Sequence, residues 1–378
     1  MDELTMVSEL LTEERPASAQ TTRDARRRLT TEISGRRRRP SRRGLVLVAG
    51  ATAASLAVGV AYHQWTTRPL YKPEPLTAQS GPAANFLLAA ANAKEKAPTD
   101  GRLWYVSSVA GTTEFVPSPK KPGTRYSLEV RQGRYSIAAK TENGLGKDWS
   151  SLGGELGDPE IRPVGPADER AWTADGRPGV SDFQLPCDPK GRSACGGLGA
   201  QERGPAPGEG AQLDFGVETA RKLPTDPSKL RAWLLNYATK FDRRRLRNPD
   251  LYLFAQASYL LVESPVPDRV RVAVYRVMAS LNGVRMITTR DADGRAGRAV
   301  AMRQTTPEHG TLDWQLVIDG STGRVTATQA IVERPGTANS GLRPGTRQHF
   351  EVIKKSEWTN APYKSLVPKW VRNLPEPG

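Results

Sequence analysis

The chain has 378 residues, of which 37% are hydrophobic, with 35 glycines, 30 prolines and a mean hydropathy of −0.54. That length holds one large domain or two small ones, and the low apolar content places part of the chain outside any packed core. The net charge of +15 brings polyanions to mind. However, the densest basic run, Arg36, Arg37, Arg38, Arg39, Arg42 and Arg43, stops where an uncharged apolar stretch begins. That placement is a membrane-topology signal and argues against nucleic acid as the partner.

In chain order, residues 1–43 come first. Leu4, Val7 and Leu11 share one helical face until Pro16. Ala25, Leu29 and Ile33 repeat the spacing by fours. Two such short helices cannot build a core, so this is a partly disordered arginine-rich arm. Two readings stay open: a docking arm that folds on a cytoplasmic partner, or a solvated tail whose arginines sit on anionic lipid. The arm has no Cys or His, so it cannot form a zinc site.

Residues 44–62, GLVLVAGATAASLAVGVAY, carry no charge. Nineteen helical residues span about 28 Å, close to the ~30 Å hydrocarbon core. A helix satisfies its own amides in lipid. The arginines assign the N-terminal side to the cytoplasm, and Tyr62 with Trp65 suits an outer interfacial belt. The expected location is therefore the cell membrane, single-pass, with membrane lipid as a partner and the C-terminal bulk extracytoplasmic. A cleaved export signal is an alternative: Ser41-Arg42-Arg43-Gly44-Leu45-Val46 resembles a twin-arginine motif, with cleavage near Gly59-Val60-Ala61. A buried helix of a soluble protein fits less well, because the segment has no polar face.

Residues 63–82 read as a linker interrupted by Pro69, Pro73, Pro75 and Pro82. An extracytoplasmic domain then runs over 83–378. It opens with a helix over 83–95, with Phe86, Leu87 and Ala90 inward. Leu103–Val106 is a strand, and Tyr126, Leu128, Val130 and Tyr135, Ile137, Ala139 alternate with polar residues. Arg131-Gln132-Gly133-Arg134 between them reads as a hairpin turn. Ala171-Trp172-Thr173 reads as a short strand.

Residues 150–212 are poor in apolar side chains and rich in Gly and Pro, so they read as a surface insertion or a partly disordered stretch. They hold the only cysteines, Cys187 and Cys195. Outside the membrane these would pair into a disulfide, closing a loop worth about 2–3 kcal/mol at most. Two thiols without histidine make an incomplete zinc shell, and the spacing is not that of a redox CxxC motif.

The clearest helices follow. Asp226 caps a helix that begins at Pro227, with Leu230, Trp233, Leu234, Tyr237 and Phe241 on one stripe. Residues 251–262 form a more buried helix ended by Pro265 and Pro267. Asp268 caps a third, with Val270, Val274, Val277, Met278 and Leu281 inward and Gly283 past its end. Strands resume: 284–287, a turn at Asp291–Gly294, a return over 298–304, and the alternating Leu312, Trp314, Leu316, Ile318. A tight turn at Asp319–Gly323 follows, then Val325–Val332 and finally His349–Lys354. The order of strands, helices and strands predicts an α+β fold: an antiparallel sheet of hairpins with helices packed on one face.

Met1-Asp2-Glu3-Leu4, the arginine-rich lead and the 44–62 segment resemble a family of actinobacterial single-pass membrane-anchored proteins often encoded beside extracytoplasmic-function sigma factors. Further residues carry the resemblance: Leu223-Pro224-Thr225-Asp226-Pro227, Leu230-Arg231-Ala232-Trp233-Leu234, Ser264-Pro265-Val266-Pro267, Val270–Arg276, Gly283-Val284-Arg285 and Ile318-Asp319 with Thr322-Gly323-Arg324. These motifs are structural. The gene placement implies an anti-sigma role with a cytoplasmic sigma factor held by the N-terminal arm, although the arm lacks the Cys/His ligands of zinc-type anti-sigma domains. The element order also resembles periplasmic lipoprotein carriers and their sensor relatives, which implies an envelope lipid or amphiphile as ligand.

No GxGxxG, P-loop or HExxH motif occurs, and no cofactor is indicated. His63, His309 and His349 are the only histidines. They show no triad pattern and read as surface residues. Scattered carboxylates do not nominate a glycosidase pair. The chain therefore reads as non-enzymatic: a membrane-anchored sensor or regulator, with a tethered amphiphile-binding module and a wall-polymer scaffold held by basic charge as the alternatives.

Overall fold

The structure is a computed structural model that describes residues 69–96, 101–139, 152–183, 213, 217–240 and 244–369. The arginine-rich arm with Arg36–Arg39, Arg42 and Arg43, the apolar segment 44–62, His63, and the pair Cys187 and Cys195 lie outside the described residues. Among the described residues no helix is long and apolar enough to cross a membrane.

The linker residues 69–80 form no helix or strand, as their prolines dictate. Pro82 then opens helix α1 (Pro82–Lys96). A first-turn proline loses no helical hydrogen bond. Ala84, Leu87, Ala90, Ala91 and Lys94 turn inward at three- and four-residue spacing, with Phe86 beside them.

Strands β1 (Leu103–Pro117) and β2 (Arg125–Ala139) pair along their whole length, from Leu103 opposite Ala139 to Pro117 opposite Arg125. The true turn is therefore residues 118–124, where Gly123 takes φ +81°. The hairpin turn expected at Arg131–Arg134 is instead the middle of one continuous strand. Gly133 is there for a different reason. It sits at a register shift against β3 (Leu152–Pro163), where a Cβ would meet the Leu156 carbonyl oxygen at 2.8 Å. Close approach of two backbones, and not chain reversal, requires the glycine.

Two further expectations for residues 150–212 are corrected. Residues 152–163 form the edge strand β3 of the main sheet, so this part is no loose insertion. Ala171–Thr173 lies in helix α2 (Pro166–Ala174), not in a strand. Pro166 at its start and Asp168 and Glu169 in its first turn favour the helix. Trp172 packs beside Tyr126, Leu128 and Phe183 and donates its Nε1–H to the Pro178 carbonyl at 3.1 Å.

A helical block follows: α3 (Val217–Arg221), α4 (Pro227–Ala238), α5 (Pro249–Val262) and α6 (Asp268–Met278). The Asp226 carboxylate caps α4 by accepting from the Lys229 amide at 2.9 Å. Asn248 does the same for α5 through the Leu251 amide. Every residue from Leu251 to Ala257 is buried, so α5 runs through the core. On α4, Leu230 and Leu234 are buried while Trp233 and Tyr237 are half-buried. Asp268 does not cap α6. Pro267 holds that position, and the Asp268 carboxylate instead pairs with Lys94 at 3.2 Å and Arg271 at 3.3 Å.

Among the described residues five strands follow, β4 (Arg285–Arg290), β5 (Ala296–Thr306), β6 (Gly310–Asp319), β7 (Arg324–Arg334) and β8 (Arg347–Thr359), and then a short helix α7 (Tyr363–Leu366). The sheet is antiparallel throughout, in the order β3-β2-β1-β8-β7-β6-β5-β4. Strand β8 inserts between β1 and β7 and so joins the strands on either side of the helical block. One face carries Trp104, Val106, Val300, Met302, Leu316 and Ile353, packed in one core with residues of α1 and α4–α6. Trp104 meets Trp358 edge-on at 5.4 Å. The architecture is thus α+β, an antiparallel sheet with helices, as the element order predicts. The helices do not all share one face: α7 packs Tyr363 and Leu366 with Leu103, Tyr105, Tyr135 and Ile137, on the side of β1 and β2 opposite Trp104 and Val106.

β6 departs from its expected half-buried alternation. Thr311, Asp313, Gln315 and Val317 are buried along with Leu312, Leu316 and Ile318. The opposite face of the sheet is therefore covered as well, by polar groups at Asp313 and Gln315 and by apolar ones at Val317.

Candidate functional site: an ionic clasp across the sheet

On that second face the β4–β5 turn, Asp291-Ala292-Asp293-Gly294-Arg295, reaches strands far from its own. Arg131 of β2 donates Nη2–H to Asp293 Oδ1 at 2.6 Å and Nη1–H to the Ala292 carbonyl at 3.1 Å. Lys354 of β8 donates Nζ–H to Asp293 Oδ2 at 2.5 Å. Arg347, also on β8, donates to the Arg290 and Asp291 carbonyls at 3.0 and 3.1 Å. In a flat sheet β4 and β2 would stand six strand spacings apart, roughly 29 Å. The sheet must curl strongly on this face to bring Asp293 to Arg131.

The register explains how two guanidiniums come to the turn. Gly111 of β1 stands opposite both Arg131 and Phe350. A Cβ at Gly111 would lie 2.3 Å from Phe350 Cζ, so the missing side chain lets the Phe350 ring lie across β1. Arg131 and Arg347 stand over that ring at 5.4 and 5.9 Å from its centroid. Behind the turn runs a buried amide chain. Arg347 Nε–H reaches Gln329 at 2.9 Å, Gln329 reaches Gln315 at 2.7 Å, and Gln315 reaches Asp313 at 3.0 Å. Thr289 of β4 donates to Gln315 at 3.0 Å and accepts from Gln329 at 3.1 Å. Arg285 closes the row on Asp313. Each buried polar group finds a partner in the next, which is the condition for such a network to hold.

The charges respond to this setting. Burial would raise the Asp293 pKa, but the hydrogen bonds from Lys354 and Arg131 hold it below the ordinary carboxylate value. Burial raises Glu129, against the pull of Arg131. Burial lowers Arg347. The turn brings no side chain larger than alanine that is apolar, so charge and hydrogen bonds hold its tip. Apolar support lies further along β4, where Ile287 packs with Ala299, Val317 and Ala327. Chemically this is a clasp. It presents no nucleophile paired with a base, and among the described residues no group of three or more His, Cys, Asp and Glu is placed to hold a metal.

The expectation of three surface histidines is corrected at one position. His349 is buried in β8 between β1 and β7, its Nε2 without a hydrogen-bond partner. Burial, with a smaller contribution from His309, lowers its pKa to about 4. His309 is partly exposed in the β5–β6 turn, 3.9 Å from Glu308. Neither residue belongs to the clasp.

A second feature is a cleft of about 240 Å³ at the start of α1, lined by Pro82, Ala84, Leu87, Met278, Leu281 and Met286 among others. It lies below the roughly 300–1,000 Å³ of ordinary small-molecule sites. The space between helices and sheet behind it is filled by side chains.

The sequence names Arg131 and the Asp291–Gly294 turn only as turn residues, one of them wrongly, and not as members of a site. Arg131, Asp293, Arg347 and Lys354 are spread over three elements and look like ordinary strand and turn charges. The one local signal is glutamine in the middle of apolar strands, at Gln315 and Gln329.

No family model and no curated protein matches the chain. Among solved structures it is similar to a chain of the MucA/MucB complex of Pseudomonas aeruginosa, at 11% identity and a TM-score of 0.19. That match covers 76% of this chain and 60% of the other. The chain thus spans less than two thirds of its neighbour, and at that TM-score nothing about fold or function is taken from the likeness.

Proposed function

We propose that this is a single-pass membrane regulator: the 44–62 segment spans the membrane, the arginine-rich arm holds a cytoplasmic partner of the sigma-factor kind, and the extracytoplasmic domain responds to an envelope signal. The observation that supports the sensing half is the clasp. A regulator needs an element with two arrangements separated by a modest free energy. A hairpin tip held over a sheet by Arg131, Arg347 and Lys354, with no large apolar side chain of its own, is suited to that role, since polar contacts alone hold it down.

Two experiments test the reading. The full-length protein in detergent is mixed with candidate sigma factors; retention that disappears when residues 1–43 are deleted is expected. No retention at low salt would sink the regulatory half. Separately, amide exchange of the β4–β5 hairpin is compared in wild type and Asp293→Asn. Faster exchange at 290–296 with unchanged exchange in α5 is expected.

The alternative, an amphiphile carrier, is favoured by nothing in the packing. The helix–sheet interface is occupied, and a lipid tail would have to displace core side chains such as Met302 or Phe254. Native mass spectrometry after gentle extraction decides the point: a bound lipid would restore the carrier reading.

A further inference from the structure

We propose that the outer surface of α4, with Lys240 and residues 244–247, docks on the anionic lipid headgroups of the bilayer; the proposal extends the reading that residues 44–62 span the membrane. The linker does not hang free where it meets the domain. The Tyr71 amide donates to Asn236 Oδ1 at 3.0 Å and Asn236 Nδ2–H returns to the Tyr71 carbonyl at 2.7 Å. The Tyr71 hydroxyl accepts from the Leu246 amide at 2.9 Å, and Arg245 donates to the Leu70 carbonyl at 3.0 Å. These bonds fix the chain against the C-terminal end of α4.

Around that point the surface is both aromatic and cationic. Trp233 and Tyr237 stack at 5.3 Å with planes 25° apart, both half-buried. Lys240 sits 3.7 Å from the Tyr237 ring centre and Arg245 5.2 Å from that of Tyr71. Lys240, Arg244, Arg245 and Arg247 are exposed, as is Lys72. Over residues 226–250 the sequence holds seven Lys and Arg against the three carboxylates Asp226, Asp242 and Asp250, and Asp250 is already held by Asn282 at 2.9 Å and Arg231 at 3.8 Å. The net charge of this stretch is therefore positive.

Rings anchored at one edge and flanked by long cationic side chains match the headgroup layer, where aromatic rings prefer the interface and Lys and Arg reach phosphates. Sequence adds a covalent limit. Tyr71 follows Tyr62, the last residue of the apolar segment, by nine positions, a span of at most about 32 Å when fully extended. A single-stranded nucleic acid fits less well, because it needs rings splayed apart for base stacking, and here the two rings stack on each other.

The test reconstitutes the full-length protein into vesicles of phosphatidylcholine alone and of phosphatidylcholine with phosphatidylglycerol. Amide exchange over 230–250 is followed in both. Several-fold slower exchange in the anionic vesicles is expected, reversed by high salt and by the combined variant Lys240→Glu, Arg244→Glu, Arg247→Glu. Unchanged exchange in α5 shows that the variant folds. Equal exchange in both vesicle types overturns the proposal. So does protection that appears only with an added polyanion such as RNA or an acidic polypeptide. Alkaline carbonate extraction separates the two claims. A protein stripped from the vesicles refutes the membrane span, and its sedimentation at low salt with anionic but not neutral vesicles then decides the docking surface: sedimentation upholds it and its absence overturns it.

Discussion

At the residue scale, the charges taken inside the domain decide most. Asp268 lies between Lys94 and Arg271, and Arg271 also stands 3.8 Å from the centre of the Trp104 ring while its Nη2 donates to the Ser264 carbonyl at 2.7 Å. Burial lowers the Arg271 pKa to about 10 and lowers that of Lys94, with Asp268 opposing both shifts. Asp268→Asn leaves two buried cations without their counter-charge, so urea unfolding should show a loss of about 3–5 kcal/mol. His349 carries a pH dependence. Its folded pKa of about 4 is below its unfolded value of ~6.5, so the unfolded chain binds the extra proton. Stability from the neutral ring is complete above ~6.5 and is lost as pH falls toward 4, by about 3 kcal/mol in all. Thermal unfolding of His349→Gln between pH 7.5 and 4 should show a flatter decline; an identical slope would refute the assignment. Asp293 works in a lower window. Its folded pKa is depressed, so its contribution is complete above the ordinary carboxylate value and disappears as pH falls below it. Opening of the clasp should therefore follow acidification past that point, read as faster exchange at 290–296.

At the scale of elements, local chemistry marked the longer helices and left one strand, β2, and one short helix, α2, obscure. Asp226-Pro227 carries its own start signal, and the structure uses it as written: the Asp226 carboxylate meets the Lys229 amide. Asp226→Ala should cost about 1 kcal/mol, measurable by chemical denaturation. β2 was obscure because Gly133 between two arginines looks like turn chemistry. Only the pairing with β3 shows that the glycine admits Leu156. α2 was obscure because three residues, Ala171–Thr173, are too few for a periodicity to show. Gly111 gives the matching prediction for strands. A methyl there meets the Phe350 ring and the Val130 carbonyl oxygen, at 2.3 and 2.6 Å. Gly111→Ala should lower stability by about 1–3 kcal/mol and speed exchange at the β4–β5 turn, because Phe350 is the platform beneath Arg131 and Arg347.

At the scale of the whole molecule, an eight-stranded sheet is sealed on one face by the block of α1 and α4–α6 and carries on the other α7 and the tip of its own edge hairpin β4–β5. The helical seal follows from amphipathic stripes that any window of sequence displays. The seating of that tip needs Arg131 and Asp293, separated by 162 positions, to meet, and no local pattern encodes such a meeting. If residues 44–62 span the bilayer, protease added outside intact cells should remove the C-terminal bulk and leave the arm. Full protection would refute that orientation. The sequence by itself determined the α+β class, the helix that Asp226 caps, the hairpins from β4 to β7 and the apolar segment with its arginine flank, because each is written in neighbouring residues through period, capping and charge. The tertiary structure alone decided the strand order with β8 inside, the burial of His349 and the clasp. Each of these depends on which distant backbones come within hydrogen-bonding reach, and contact of that kind is a property of the packed chain.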